Sequence, residues 1–289
     1  MFKIYFAPAW GLTSEEMLDD YKHQTPGSMG VWKDMKAITN SDEADYLIIQ
    51  DYCEPQLLEK FSPEQVYYFG REVPGLGPIG DYSSWKVNVF SYVDESSHLY
   101  TKWRYPNKFS GGVNRSYDEL AAMNTPPDKT KVLSCIQSGK QSCEGHVKRV
   151  QFLREFIDRN PKDLDLFGSI PFSNTNLKDD DKWEGLAPYK YSIAFDNGKY
   201  PNYFATQFTD AILSWNVPLF WGCPNIDEYF PEGCYETFDI DDYNEIDRLL
   251  EFVNLDCYDD RIEALREARV RILDKYNLWP TVYDAIRKN

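Results

Sequence analysis

The chain has 289 residues, of which 42% are hydrophobic and 27% are charged. This globular composition excludes a disordered or fibrous chain, and the length predicts one large or two medium domains. The 31 basic and 47 acidic residues give a formal net charge of −16. Nucleic acid and anionic membranes are therefore disfavoured as partners, because both require a basic protein face. A phosphate ligand would have to be bound by a few locally placed cations.

Apolar runs in the first 125 residues predict four strands. They are residues 3–7, 44–50, 65–70 and 86–92. The stretch NTPPDKT at 124–130 is polar and rich in proline, which is typical of a domain linker. We therefore assign residues 1–125 to an N-terminal domain and residues 126–289 to a C-terminal domain.

Predicted strands and helices alternate after this linker. The strands are residues 131–138, 164–170, 189–197, 217–222 and 234–240, and the helices are 145–160, 205–215, 243–254 and 261–276. This alternation predicts a parallel sheet covered by helices on both faces, with ligands bound beyond the carboxyl ends of the strands. Two such α/β halves suggest a cleft between them, and the last helix could pack back on the first domain.

No window of the sequence approaches the ~18–20 uncharged apolar residues of a membrane helix. The N-terminal MFKIYFAPAW also lacks the features of a signal peptide, so we expect a cytoplasmic protein without a membrane span. The six cysteines are irregularly spaced and the three histidines form no HxxxH motif. These patterns favour reduced thiols and argue against a histidine-rich metal site.

The segment 189–231 is the richest in residues that could carry chemistry. In it, a loop containing Asn197 and Asn202 delivers residues 203–207 onto the predicted N-terminus of a helix. Free backbone N–H groups and the helix dipole favour an anion at such a terminus, so a diphosphate could bind there. The structural alternative is that the asparagines only form turns and that Thr206 only caps the helix.

This segment resembles the donor-binding C-terminal domain of the fucosyltransferases of glycosyltransferase family 10. The similar stretches are YKYSIAFDN (189–197), NYFATQFTDA (202–211), NVPLFWGCPNIDEYFP (216–231) and, earlier in the chain, SCIQSGKQSCEGHVKRVQFL (134–153). YYFGREVP at 67–74 is similar to an acidic turn of the family's acceptor domain. The resemblance implies an α/β protein of the GT-B type, with two Rossmann-like domains facing each other across a cleft.

The resemblance also implies an inverting glycosyltransferase, which moves a sugar from a nucleotide-diphosphate donor to a glycan hydroxyl without a metal or other cofactor. The family default donor is GDP-L-fucose. By position, Arg149 matches the arginine that contacts the donor diphosphate, and we expect it on the helix surface facing the cleft. Asn197 and Tyr203 match residues that contact the donor sugar or its phosphates. Glu72 matches the carboxylate proposed as general base. The structural alternatives are a solvated charge for Arg149 and an ion pair with Arg71 for Glu72.

One pair of residues departs from the family signature. Where the family has Glu-Lys at the start of the helix, this chain has Thr206 and Gln207, which we retain as candidate donor-binding residues. The site could bind another donor, such as a UDP-linked xylose, or the protein could bind a nucleotide or glycan without turnover. A third possibility is that another cation replaces the lysine, the candidates being Lys140, Lys148, Lys190 and Lys199.

Overall fold

The structure is a computed structural model, which describes residues 1–70, 112–159, 161, 163–177 and 181–288 and the backbone of residues 88–90. The chain forms two compact units. The first unit contains Met1–Ser110, Arg115–Ala122 and Leu273–Asn289, and the second contains Gly111–Asn114 and Met123–Ile272. Each unit has its own sheet.

In the described part of the chain, the first unit contains a six-stranded, mainly parallel sheet. Its described elements are β1 (Phe2–Phe6), α1 (Ser14–Tyr21), β2 (Val31–Trp32), β3 (Met35–Ile38), β4 (Tyr46–Gln50), α2 (Pro55–Leu58), β5 (Val66–Phe69), β6 (Asn88–Phe90) and α3 (Tyr117–Ala122). The strand order is β2-β3-β1-β4-β5-β6, and neighbouring strands are parallel except for β2 and β3. The four strands predicted for this region are confirmed as β1, β4, β5 and β6.

Side chains of β1 and of Ala7, which follows it, alternate between two separate apolar clusters. Ile4 and Phe6 belong to one cluster, whereas Tyr5 and Ala7 belong to the other. The same alternation continues in β4 and β5. Because successive side chains of a strand point to opposite faces, this sheet is buried on both faces, as expected for parallel strands.

The second unit contains a fully parallel sheet. Its described elements are β7 (Lys131–Ile136), α4 (Glu144–Asp158), β8 (Leu164–Phe167), β9 (Tyr189–Phe195), α5 (Thr206–Leu213), β10 (Val217–Trp221), β11 (Glu236–Thr237), α6 (Asn244–Asn254) and α7 (Ile262–Arg271). The strand order is β11-β10-β9-β7-β8, and every neighbouring pair is parallel. The prediction of a parallel sheet with alternating helices is therefore confirmed.

The register of this sheet brings the ends of three strands to one edge. Cys135 of β7 pairs with Ile193 of β9, and Trp221 of β10 pairs with Phe195 of β9. Since the strands are parallel, the loops that follow β7, β9 and β10 all leave from this carboxyl edge. It is the edge at which ligands bind in doubly wound folds.

The C-terminal end of the chain departs from the predicted helix at 261–276. Helix α7 ends at Arg271, a π-helical turn covers Ile272–Tyr276, and a further helix, α8 (Leu278–Lys288), follows. Helix α8 belongs to the first unit. There Trp279 is fully buried, and its indole N–H donates to the carbonyl of Tyr21 at 2.8 Å.

Candidate functional site

The first turn of α4 lies directly on the loop that follows β9. A Cβ atom on Gly145 would lie 2.2 Å from the carbonyl oxygen of Asn197. The Cys143 thiol donates to the same carbonyl, at 3.4 Å. Glycine allows this close approach because it has no side chain, and the contact brings the side chains of α4 to Asn197.

Arg149 lies on the second turn of α4 and joins two loops of the carboxyl edge. Its Nη1 donates to Asn197 Oδ1 and its Nη2 donates to Ser138 Oγ, both at 3.1 Å. The side chain is only 3% exposed. The expectation of a surface arginine is therefore wrong, as is the alternative of a solvated charge, because the loops that carry Ser138 and Asn197 enclose this turn of the helix.

The buried guanidinium of Arg149 interacts electrostatically with the buried carboxyl of Asp196 but forms no ion pair in the part of the chain that the structure describes. Arg149 makes no ion pair there, and its Nε has no hydrogen-bond partner. Burial lowers the pKa of the guanidinium, and it raises the pKa of the nearby Asp196 carboxyl well above its usual range. A buried ion without a counter-charge costs on the order of several kcal/mol, so this site favours an anionic ligand.

Asp196 organises the start of α5. It is fully buried, and its Oδ1 accepts from the backbone N–H of Ala205 at 2.9 Å. A Cβ atom on Gly222, in the loop after β10, would lie 2.2 Å from Asp196 Oδ2. Asp196 therefore fixes the helix N-terminus against the carboxyl edge of the sheet, and Thr206 does not serve as the N-cap, because that position is Ala205.

Thr206 and Gln207 are the first two residues of α5, as the sequence predicts. Both are half-buried, and Gln207 Oε1 accepts from the backbone N–H of Phe195 at 3.5 Å. The free N–H groups of this helix terminus thus lie beside the end of β9. The terminus presents neutral side chains where the resemblance implies a Glu-Lys pair.

The four lysines considered as substitutes for the missing charge fall into two groups. Lys148 pairs with Asp241 at 2.8 Å, and Lys190 pairs with Asp256 at 2.6 Å. Both are thereby compensated by carboxylates. Lys140 and Lys199 are exposed and have no ion-pair partner among the residues described.

The loop between β9 and α5 is held in place by polar side chains. Asn202 adopts a left-handed conformation with φ of 63°. Its Oδ1 accepts from Asn225 Nδ2 at 2.8 Å and from the Tyr229 hydroxyl at 2.7 Å. Tyr203 follows and is buried, with its ring packed edge-on against Tyr200. These contacts fix the path of the loop that leads to Thr206.

The structure brings the predicted residues Arg149 and Asn197 into direct contact. Thr206 and Gln207 are placed at the same edge by Asp196 and Phe195, whereas Glu72 lies outside the described residues. Sequence reasoning missed Ser138, His146 and Asp196. The acidic residue that directly follows the apolar strand β9 was a signal for Asp196. Ser138 and His146 lie in the family-like stretch 134–153, but no local pattern singled them out.

The described residues contain neither a cluster of metal ligands nor a helix that could span a membrane. No group of three or more histidine, cysteine, aspartate or glutamate side chains is arranged to hold a metal ion. In the same residues, every helix is too short or too polar to cross a membrane.

Comparison with known proteins gives matches in sequence and in structure. Residues 126–262 match the profile of the glycosyltransferase family 10 (fucosyltransferase) C-terminal domain. A fucosyltransferase-like protein of Arabidopsis thaliana is 33% identical over 115 residues. That match covers 40% of this chain and 21% of the plant protein, so this chain spans only about a fifth of the length of that relative.

Two solved structures are similar in fold over most or nearly all of the chain. An α1,3-fucosyltransferase solved with GDP-fucose superposes with a TM-score of 0.53 at 15% identity, covering 93% of this chain and 82% of that one. The DNA-modifying enzyme β-glucosyltransferase superposes with a TM-score of 0.54 at 12% identity, covering 99% of each chain. These similarities confirm the predicted α/β fold of the GT-B type.

Proposed function

We propose that this chain, whose residues 126–262 carry the C-terminal domain of glycosyltransferase family 10, transfers a sugar from a nucleotide-diphosphate donor to a hydroxyl of a glycan. The observation that carries the proposal is the buried guanidinium of Arg149 at the carboxyl edge of the sheet, which forms no ion pair with any described residue. A diphosphate supplies the anionic charge that this site lacks. The N-terminus of α5, beside the same edge, offers further N–H donors to an anion.

The proposed reaction is a direct displacement with inversion at the anomeric carbon. The acceptor oxygen forms a bond to this carbon while the bond to the diphosphate oxygen breaks, and the nucleoside diphosphate leaves with the electron pair. Arg149 and the α5 terminus stabilise the charge that develops on the leaving group. Glu72, carried over from the resemblance, accepts the proton of the acceptor hydroxyl.

We keep GDP-L-fucose as the first candidate donor, because the remainder of the family signature is present around Asn197 and Tyr203. The neutral pair Thr206 and Gln207 favours a second candidate. The helix N-terminus lacks the lysine that offsets diphosphate charge and the glutamate that meets the sugar in the family. A donor with another sugar or base, such as a UDP-pentose, is the alternative that this difference supports.

A thermal-shift screen against GDP, UDP and their sugar conjugates tests the proposal. A ligand that binds the folded protein raises the melting temperature in proportion to its binding free energy. We expect the preferred donor to give the largest shift, and we expect its slow hydrolysis to be measurable without an acceptor. Binding without hydrolysis or transfer would favour a nucleotide-binding protein without turnover, and the absence of any shift would contradict the proposed donor site.

Activity is expected to survive chelation by EDTA. In the proposed site the charge of the leaving diphosphate is offset by Arg149 and the α5 terminus, so no divalent ion is needed. The measurement is the transfer rate with the preferred donor before and after dialysis against EDTA. Complete loss that is restored by Mn²⁺ would contradict this expectation.

The variant Gln207→Lys is expected to tighten GDP or UDP binding by about tenfold, because a charge-assisted hydrogen bond to the diphosphate contributes roughly 1.5–3 kcal/mol. Gln207→Met is the matched control, since it keeps the length of the side chain without the charge. Calorimetric titration of both variants gives the comparison. Weaker binding in the lysine variant would instead indicate a competing cation, and Lys140 and Lys199 are available for that role.

The double variant Thr206→Glu with Gln207→Lys extends this comparison to the sugar. It restores the family pair, so it is expected to improve fucose transfer from GDP-fucose if fucose is the native sugar. Wild-type preference for a UDP-pentose, lost in the double variant without any gain in fucose transfer, would contradict the fucosyltransferase assignment.

A further inference from the structure

The side-chain amide of Asn197 is held by two donors from α4. Its Oδ1 accepts from Arg149 Nη1 at 3.1 Å and lies 2.9 Å from His146 Nε2. No partner of its Nδ2 occurs among the described residues. The carbonyl oxygen of the amide is therefore occupied by the protein, and both of its N–H groups remain for a ligand.

The protonation of His146 follows from these contacts. Arginine has only donors, so the atom of Asn197 that it contacts is the oxygen. His146 Nε2 must then carry a proton and donate to that oxygen. On the other side of the ring, the backbone N–H of Ser142 donates to Nδ1 at 3.2 Å, so Nδ1 is unprotonated and the imidazole is the neutral Nε2–H tautomer.

We propose that His146 is a positioning residue of the donor site, which fixes the Asn197 amide so that its two N–H groups face the phosphate or sugar oxygens of the nucleotide sugar. The proposal rests on the proposed function. If Arg149 were the only donor, the side-chain amide of Asn197 could still rotate about that single hydrogen bond. Two donors that converge on one oxygen remove this freedom before the ligand arrives, which lowers the ordering cost of binding.

The surroundings of His146 favour a neutral ring. His146 is 4% exposed, and the charged groups that act on it within the described part of the chain are Arg149 on its own helix and Lys140 on the preceding loop. Burial, followed by the charge of Arg149, lowers the pKa of His146. A neutral donor can therefore sit next to Arg149 without the like-charge repulsion that lysine or arginine would bring at this position.

Substitution of His146 by asparagine or by glutamine tests its contacts with Ser142 and Asn197 one at a time. His146→Asn retains an acceptor near the position of Nδ1 for the Ser142 N–H but loses the donor to Asn197. His146→Gln retains a donor near the position of Nε2 and is the matched control. We expect His146→Asn to weaken GDP or UDP binding by about tenfold, the effect of losing one positioning hydrogen bond. We expect His146→Gln to bind within about threefold of wild type.

A double-mutant cycle tests whether the effect passes through Asn197. In an Asn197→Ala background, His146→Asn should cause no further loss of affinity. The proposal would be overturned if His146→Asn and His146→Gln lose the same affinity or if neither loses any. It would also be overturned if His146→Asn causes a further, additive loss of affinity in the Asn197→Ala background. Melting temperatures of all variants identify any loss that is due to unfolding.

The tautomer gives a measurement that needs no variant. Ring nitrogen chemical shifts of His146 in the wild-type protein should report the neutral Nε2–H form at neutral pH. A protonated Nδ1 would overturn the positioning role even if nucleotides bind. Conversely, wild-type protein that shows the expected tautomer but binds neither GDP, UDP nor their sugar conjugates would overturn the proposed function.

Discussion

Replacing Arg149 with alanine is expected to weaken nucleotide-sugar binding by about 100-fold or more, because each charge-assisted hydrogen bond to a diphosphate contributes roughly 1.5–3 kcal/mol. Arg149 is 3% exposed, and its guanidinium donates hydrogen bonds to Ser138 and Asn197. Alanine therefore also leaves a cavity, and we expect a lower melting temperature. The measurement is calorimetric titration with the donor that the thermal-shift screen identifies.

The variant Arg149→Met separates the loss of diphosphate binding from the loss of stability caused by a cavity. Methionine fills much of the same volume without a charge, and removing a buried charge also removes the desolvation cost that the charge imposes on the folded state. We expect this variant to melt at or above the wild-type temperature while it loses diphosphate binding as fully as the alanine variant does. Wild-type affinity in the methionine variant would contradict the assignment of Arg149 to the diphosphate.

Gly145→Ala is expected to abolish donor binding and to destabilise the second unit. The added Cβ atom would lie 2.2 Å from the Asn197 carbonyl oxygen and 2.7 Å from its carbonyl carbon. Both are backbone atoms and cannot rotate away, so helix α4 and the loop after β9 must separate. Overpacking of this kind costs about 1–3 kcal/mol, and the separation pulls Arg149 and His146 away from the Asn197 amide.

Gly139→Ala is the matched control in the loop that precedes α4. Its Cβ atom would lie 3.1 Å from the carbonyl oxygen of Ser169 and 3.2 Å from Cδ of Pro171, so its neighbours would have to move by only a few tenths of an ångström. Thermal melts and titrations of both variants give the comparison. If Gly145→Ala melts and binds like Gly139→Ala, the contact between α4 and Asn197 does not organise the site.

The predicted strands were identified by continuous apolar runs, and this signal works where a strand is buried on both faces. Seven residues of β9, Tyr189–Phe195, are almost all buried and form the centre of their sheet. Strand β3 escaped prediction because it has no continuous apolar run: buried Met35 and Ala37 alternate with the exposed Lys36. Strand β2 pairs antiparallel with β3 through Val31 and Trp32, and this pairing is not apparent from the local sequence.

The candidate site was only partly predictable. The positions of Thr206 and Gln207 at a helix N-terminus follow from local sequence, since the loop before them contains turn residues and the stretch after them is apolar. The role of Asp196 as the acceptor for the Ala205 N–H depends on how the loop folds back. The burial of Arg149 depends on two loops that are remote in sequence from each other.

The sequence by itself determined the α/β class, the parallel second sheet, the similarity of residues 126–262 to glycosyltransferase family 10 and the neutral pair at the start of α5, because apolar periodicity and a local motif are properties of adjacent residues. Only the tertiary structure decided that Arg149 is buried without an ion pair among the described residues and that His146 and Arg149 share one oxygen of Asn197. It also placed α8 in the first unit, where Trp279 contacts Tyr21 across 258 positions of the chain. Such contacts join residues that are distant in sequence, so their energies appear only when the chain is folded.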